Sequence, residues 1–423
     1  MRLAPNRVAP SPLDGFDFTA IVRPGDTIGW PQAIGEPLGL TQRLIAQRDS
    51  LPHPHLFFGM SSSRTLSPEL ADSFTFTALN GAGTNRRISS RSDIIPAHVS
   101  AIPRLLRSKA LPLDITLIRV RPLPDGSFTT GPISDFTQAL VAAARCVIAE
   151  VDERLPVTGQ DAILPAGAIH HFVTAGLHEV LMPDPEPTAI ETTVAGHVAG
   201  LIPNGATVQL GVGTLPVAVA RALVNHRDLG IHSGVISDSF VALMESGAIS
   251  NARKRIDVGL SVTGGLFGTR ILLDYADSNP AIAMRSSEHT HSQAVMAQLH
   301  ALHSINSALE IDTTGQVNAE AIAGRYLGAV GGQPDFVRGA QLSPGGRSII
   351  ALPSTTPDGK LSRIVATLGG PVTTARSDVD VVITEHGVAD LRGCSFPERT
   401  RRLIAIAHPD FRDDLRAAAR RGE

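Results

Sequence analysis

Glycines and carboxylates carry most of the chemistry this chain can offer. The run Gly328-Ala329-Val330-Gly331-Gly332-Gln333-Pro334-Asp335-Phe336-Val337-Arg338-Gly339 sets three glycines in five positions ahead of an apolar stretch and a basic residue. Without Cβ atoms the backbone can close on a ligand and aim several N–H groups at one oxygen. A phosphate or a developing oxyanion suits such a cradle, although a tight structural turn uses the same residues. Gly211-Val212-Gly213-Thr214-Leu215-Pro216 reads as a strand-to-helix turn where amides could meet an anion. It lacks the third glycine of a dinucleotide fingerprint, so a nicotinamide enzyme is weakly supported. Gly259-Leu260-Ser261-Val262-Thr263-Gly264-Gly265 either lines a narrow channel or packs closely against a neighbour.

Among the carboxylates, Glu385 in Thr384-Glu385-His386-Gly387 follows the apolar run 379–383. Open α/β sheets place their sites at the C-terminal ends of strands, so this is a candidate catalytic acid or base. Glu288 lies in a polar stretch without clear periodicity. Glu310 and Asp312, two apart, are expected on one solvated face of a strand. Histidines cluster at His289-Thr290-His291, His300 and His303, the last two spaced to share a helix face. No carboxylate or cysteine completes a metal set at a familiar spacing, so no metal is expected. Cys146 and Cys394 make no disulfide framework and are expected as small buried hydrophobes.

The elements that must position these residues follow from the apolar pattern. Val- and Ile-rich runs predict strands at 115–120, 146–151, 207–210, 348–352 and 379–383, and amphipathic stretches predict helices at 136–144, 216–225, 240–246 and 398–407. The alternation implies α/β units with mostly parallel sheets. Val22-Arg23-Pro24-Gly25-Asp26-Thr27-Ile28-Gly29 is echoed by Ile202-Pro203-Asn204-Gly205-Ala206-Thr207-Val208-Gln209, which suggests two lobes of similar architecture. The proline cluster Pro183-Asp184-Pro185-Glu186-Pro187 reads as a stiff linker, giving an N-terminal lobe at 1–187 and a C-terminal lobe at 188–423. A chain of 423 residues with 43% hydrophobic content buries a large core. Its net charge of −3 argues against nucleic acid. No run of 18 apolar residues crosses a membrane and no apolar h-region follows Met1, so a soluble, cytoplasmic protein is expected.

Several motifs together resemble the acetyl-CoA hydrolase/transferase family, which includes 4-hydroxybutyrate CoA-transferases. They are Ser100-Ala101-Ile102-Pro103-Arg104-Leu105, Leu113-Asp114-Ile115, Val208-Gln209-Leu210-Gly211-Val212-Gly213 and Asp228-Leu229-Gly230-Ile231-His232-Ser233. The resemblance is strongest over Ser304-Ile305-Asn306-Ser307 to Gly315-Gln316-Val317-Asn318, the glycine loop, and Thr384-Glu385-His386-Gly387-Val388-Ala389-Asp390-Leu391-Arg392-Gly393. It ends on His408-Pro409-Asp410-Phe411-Arg412. The resemblance implies two α/β CoA-transferase-type lobes with the active site between them, a homodimer, and acyl-CoA with a small carboxylic acid as substrates rather than a tightly bound cofactor. It further implies Gly332 as an oxyanion donor, Gly328 and the segment Val258, Gly259, Leu260, Ser261 and Val262 as CoA contacts, and Glu385 as the acid beside the nucleophile. Family members transfer CoA through a glutamate that attacks the thioester, which demands close positioning and stabilisation of the oxyanion.

The chain departs from that pattern at the nucleophile. The family segment Asn-Pro-x-x-Glu-x-(basic)-Pro is here Asn279-Pro280-Ala281-Ile282-Ala283-Met284-Arg285-Ser286, and Ala283 holds the glutamate position. A methyl group forms no anhydride. The family's lysine before Gly-Gly is replaced by Pro344, which removes a cationic partner for CoA. Three readings follow: an acyl-CoA enzyme in which Glu288 or Glu385 serves as general base for hydrolysis, a CoA-binding protein without turnover, and a transferase into which Ala283 was introduced. The divergent neighbours Ser286-Ser287-Glu288-His289 favour natural divergence over the last.

Overall fold

A computed structural model describes residues 9–176 and 178–421. The chain divides into two compact units, one of residues 1–183 and 263–289, the other of 184–262 and 290–423. One division thus falls in the expected proline cluster. Residues 263–289 also group with the first unit. Hydrogen bonds explain the return: Leu266 N donates to Pro132 O (2.8 Å), Ser134 N to Gly264 O (2.8 Å) and Ser287 N to Asp135 O (2.6 Å).

The first unit is built on seven parallel strands in the order Ser92–Ile94, Thr75–Ala78, His55–Phe58, Thr27–Trp30, Ile115–Pro122, Cys146–Val151 and His171–Thr174. Phe128–Thr129 and Ile163–Leu164 extend it in antiparallel sense beyond Ile115–Pro122. The middle strands are apolar along their whole length, as both faces of a helix-covered parallel sheet require. Phe18, Ile28, Leu40, Leu44, Leu56, Phe76, Ile115 and Ile148 fill one face, and Phe57, Ile102, Leu106, Phe136 and Leu140 fill the other.

The second unit repeats the plan. Gly230–Ile236, Thr207–Leu210, Leu302–Asn306, Arg347–Ala351 and Val381–Thr384 lie side by side and parallel. Gly387–Asp390 closes the edge as an antiparallel hairpin. The echo seen in the sequence is a shared turn: Gly25 and Gly205 both take left-handed φ, 83° and 81°, before the strands Thr27–Trp30 and Thr207–Leu210. The helix Ala189–Ala199 starts on a capping box in which Thr188 and Glu191 satisfy each other's orphan groups. The predicted helix at 216–225 is seen as Thr214–Ala222, and that at 398–407 as Phe396–Ala405. His303 is a correction, since it lies in the strand Leu302–Asn306 rather than on a helix face with His300. Its β-branched and apolar neighbours suit a central strand, and pairing overrides helical spacing. No helix among the described residues is long and apolar enough to cross a membrane.

Candidate active site

Four adjacent parallel strands of the second unit send their C-terminal ends to one edge, where open α/β sheets place ligands. Thr207–Leu210 leads into Gly211-Val212-Gly213-Thr214, Leu302–Asn306 ends in a polar residue, Arg347–Ala351 leads to Ser354, and Val381–Thr384 leads to Glu385. The helix Gln333–Leu342 packs between Leu302–Asn306 and Arg347–Ala351 in sequence, and a crossover helix runs back against its strands. Its start, Gly332, therefore lies at that same edge.

Glu385 and His386 are the two residues of the hairpin turn between Thr384 and Gly387, whose Cα atoms are paired. Gly387 has φ 131°, which suits a residue without Cβ in so tight a connection. The Glu385 carboxylate accepts from Ser354 N at 2.9 Å and from Ser354 Oγ at 2.6 Å, one bond on each oxygen. Each oxygen keeps a lone pair for a further partner. His386 Nε2 stands 3.7 Å from Glu385 Oε1. Burial lowers the His386 pKa against the pull of that carboxylate, so the ring is neutral near pH 7. Beside these, Gln209 and Asn306 pair their side-chain amides (3.2 Å).

The Gly211-Val212-Gly213-Thr214 turn is tied to the helix Ala189–Ala199 through the Thr214 hydroxyl, which donates to Glu191. Burial opposes ionisation of Glu191, but the hydroxyls of Thr214 and Thr188 and the Thr188 amide outweigh it and its pKa falls. Arg363 faces both Glu191 and Glu385 electrostatically, and burial lowers its own pKa.

The glycine loop is narrower in what it offers than its composition suggests. Leu327 N and Gly328 N both donate to Glu320 O at 2.8 Å, and Ala329 N donates to Ala319 O at 3.3 Å. The Gly328 amide is therefore taken within the chain, and a Cβ there would strike the Ala319 carbonyl. Gly332 is different. It caps the helix Gln333–Leu342, whose first internal bond is Phe336 N to Gly332 O at 3.1 Å. The amides of Gly332 and Gln333 lie ahead of the first intrahelical bond, as helix starts require. Gly332 is fixed from behind by His291, whose Nε2 a Cβ at this position would meet at 2.5 Å. His291 is buried, lies 4.7 Å from the Phe336 ring between centroids, and is pushed by burial down to a pKa of about 3.

The segment from Val258 to Val262 divides in two. Val258 and Gly259 are exposed and Leu260 is half-buried, while Ser261 and Val262 are buried at the start of the strand Ser261–Leu266. Of the segment from Val258 to Val262 expected to contact CoA, the strand thus turns Ser261 and Val262 into the core and leaves Val258, Gly259 and Leu260 at the surface. Lys254 and Asn251 pin this turn: Lys254 Nζ donates to Ile231 O (2.9 Å) and Leu260 O (2.7 Å), and Asn251 Nδ2 donates to Ser261 Oγ (3.0 Å). Burial brings the Lys254 pKa down to about 8.

Glu288 belongs to the first unit and is engaged elsewhere. It sits in the short helix Ser287–Thr290 and is held by a bidentate pair with Arg107, at 2.9 and 2.6 Å, with both side chains about half exposed. The hydrogen bond from Arg107 lowers its pKa. Ala283 is fully buried in the strand Ile282–Met284. Glu310 and Asp312 do not form a solvated face. Both are buried, Glu310 accepting from Asn318 Nδ2 (3.0 Å) and Gly369 N (2.8 Å), and Asp312 closing a turn with Thr314 and Gln316. A local supply of donors overrides the expectation that such a pair seeks water.

Against known proteins, the acetyl-CoA hydrolase/transferase N-terminal domain matches residues 17–175 and the C-terminal domain of the same name matches 268–419. The chain belongs to the acetyl-CoA hydrolase/transferase family. Among its relatives, the 4-hydroxybutyrate coenzyme A transferase of Clostridium kluyveri is 38% identical over 391 residues, covering 90% of this chain and 91% of that one. The succinyl-CoA:cyclohexane-1-carboxylate CoA transferase of Geobacter metallireducens is 34% identical over 96% of this chain and 94% of its own length. The crystal structure of RipA from Yersinia pestis shares the fold with a TM-score of 0.90 at 32% identity, covering 96% of each chain. That of a 4-hydroxybutyrate CoA-transferase from Porphyromonas gingivalis gives 0.82 at 31% identity over 97% of each. Family relatives thus include CoA-transferases, and an acetyl-CoA hydrolase of Yarrowia lipolytica matches 53% of this chain at 31% identity.

The residues at the sheet edge were unevenly visible in the family's acetyl-CoA hydrolase/transferase motifs. Ser354 and Glu320 stand outside the residues the sequence singles out, and His291 is marked only as one of a histidine cluster. Ser354 had one usable signal, its place just past an apolar strand, the same signal that marked Glu385.

Proposed function

We propose that this chain recognises acyl-CoA and acts on the thioester without the family's covalent glutamyl-CoA route. Ala283 stands where the nucleophilic glutamate is expected, and Glu385 takes the role of general base for hydrolysis. The observation that carries this reading is the contrast at the two positions: Glu385 is oriented by two bonds from Ser354, whereas position 283 buries a methyl group. In this reading Glu385 accepts a proton from a water as its oxygen attacks the thioester carbonyl. The resulting oxyanion is met by the Gly332 amide at the helix start. Collapse breaks the C–S bond, and the proton on Glu385 passes to the departing sulfur, leaving a free acid, CoA thiol and the protein unchanged. Val258, Gly259 and Leu260 supply the CoA contact. Glu288 is the poorer base because Arg107 stabilises its charged form. The working protein is a cytoplasmic homodimer, with acyl-CoA and a small carboxylic acid as its ligands and neither nucleic acid nor membrane among its partners.

Thiol release from a short acyl-CoA in the absence of an acceptor acid tests the reading. Release that Glu385→Gln abolishes supports it. CoA transfer to an added carboxylic acid with no release in its absence overturns it in favour of transfer by another nucleophile. Tight CoA binding with no turnover of any kind overturns the hydrolytic half and leaves a CoA-binding protein.

A further inference from the structure

The amides at the start of the glycine loop end on the carbonyls of Ala319 and Glu320, and the second of these is a buried acid. Glu320 is 4% exposed, and its carboxylate accepts from the Tyr326 hydroxyl at 2.8 Å on one oxygen and from the Thr373 hydroxyl at 2.7 Å on the other. Its carbonyl takes the amides of Leu327 and Gly328, and the preceding Ala319 carbonyl takes that of Ala329. The same Thr373 oxygen accepts from Ala319 N at 2.8 Å. Asn318, fully buried, accepts from the amides of Glu320 (3.0 Å) and Ala321 (3.2 Å) and donates to Ala321 O (2.7 Å). Residues 318–320 are thus a platform with its own polar groups satisfied, which is the condition under which a buried network rigidifies its surroundings.

A hairpin lays Tyr326 back over that platform. Ala321–Ile322 pairs with Arg325–Tyr326 through the two-residue turn Ala323-Gly324. Both turn residues have positive φ, 50° and 75°, the combination a type I′ turn requires. Alanine adopts that conformation at a cost, so the tight turn is held by the structure around it. Tyr326 then leads directly into Leu327 and the loop. Its oxygen also faces the Val330 amide, which draws its pKa down, while burial and the bond to Glu320 raise it and the raising prevails. The hydroxyl therefore stays protonated and donates to Glu320 throughout the working pH range.

We propose that Glu320 and Tyr326 are positioning residues that fix the turn from Leu327 to Gly332 and, through it, the direction of the Gly332 amide. The proposal rests on the reading of Gly332 as the oxyanion donor, but the loop geometry it describes does not. Tyr326 acts through the loop, its hydroxyl engaged by Glu320. It sets where the chain enters the helix Gln333–Leu342, with His291 behind Gly332 as the opposing stop. Fixing a donor before the charge develops is what makes it effective, because no reorganisation is then needed during the reaction.

Tyr326→Phe keeps the ring and removes only the hydroxyl. Hydrogen exchange read by mass spectrometry on the full-length protein should show the peptide spanning 327–333 exchanging about tenfold faster, the size of one lost hydrogen bond. The peptide of the strand Arg347–Ala351 should be unchanged. In thiol release, kcat should fall by about 10- to 100-fold, less than the roughly 10²- to 10³-fold loss of an oxyanion donor, with KM within about threefold. Glu320→Gln, which can still accept from Tyr326, should recover part of the loss seen in Glu320→Ala. Unchanged exchange at 327–333, or acceleration spread evenly over the second unit, overturns the proposal. A wild-type protein that releases no thiol overturns the functional reading instead, and the exchange comparison still decides the positioning role.

Discussion

Glu385 and Glu288 are the two carboxylates that the sequence offers as replacements for the missing nucleophile, and their surroundings differ in kind. Glu385 sits in a two-residue turn at the C-terminal edge of a parallel sheet, bonded on each oxygen by one residue of the neighbouring strand's exit. Glu288 sits on a single-turn helix, locked by the planar fork of Arg107 with about half of each side chain in water. The first arrangement fixes a carboxylate and leaves lone pairs to work with. The second uses both oxygens on a cation and stabilises the charged form, the opposite of what a base needs. Position, more than residue type, separates a carboxylate set at a strand exit from a surface ion pair.

The strongest way to break this comparison is Glu385→Gln. Thiol release should fall by about 10² to 10⁴-fold, the range that removal of a general base produces, while CoA affinity measured by calorimetry stays within a few-fold. Retained activity would move the base to Glu288 or elsewhere. Gly332→Ala comes next. The added methyl meets His291 in a packed setting and should displace the helix start, cutting kcat by about 10- to 100-fold, a part of the loss of one oxyanion donor, and lowering stability by about 1–3 kcal/mol. Ser354→Ala sharpens the picture of how Glu385 is aimed. It removes the hydroxyl and keeps the amide, so stability should fall by about 1–3 kcal/mol, read by urea denaturation, with kcat reduced more than KM is raised.

Glu288→Gln should do least. A half-exposed, solvent-screened pair contributes about 0–1 kcal/mol, and thiol release should stay within about twofold. Its pH signature has a definite sign. The Arg107 bond depresses the Glu288 pKa below its ordinary value of 4.5. The pair's contribution is therefore present above that value and is lost as pH falls through the folded-state pKa. Thermal midpoints of wild type and Glu288→Gln should differ slightly at pH 7 and converge in acid, and a gap that widens in acid would refute the pairing.

Much of the fold was legible because buried parallel strands write themselves as continuous apolar runs. Cys146–Val151 and Thr207–Leu210 were readable to the residue, and the Pro-Gly echo marked equivalent turns in the two units. The return of 263–289 to the first unit was not legible, because nothing in local composition shows that Gly264 and Leu266 bond to the stretch 132–135. At the site, Glu385 was marked by its place after a strand. Gly328 has a second reason to be glycine that the sequence does not show: the Ala319 carbonyl approaches it closely, and its amide is taken by Glu320. A glycine needed for packing and a glycine needed for a ligand look alike in one dimension. Glu310 and Asp312 misled for a related reason, since the donors that satisfy them come from Asn318, Gly369 and a local turn that spacing alone does not reveal.

The central claim is that no carboxylate of this protein carries CoA covalently, and intact-mass analysis of the wild-type chain after incubation with acyl-CoA tests it most directly. The account predicts released thiol and free acid with the protein mass unchanged. A mass increase equal to a bound CoA thioester, removed by hydroxylamine, would contradict it.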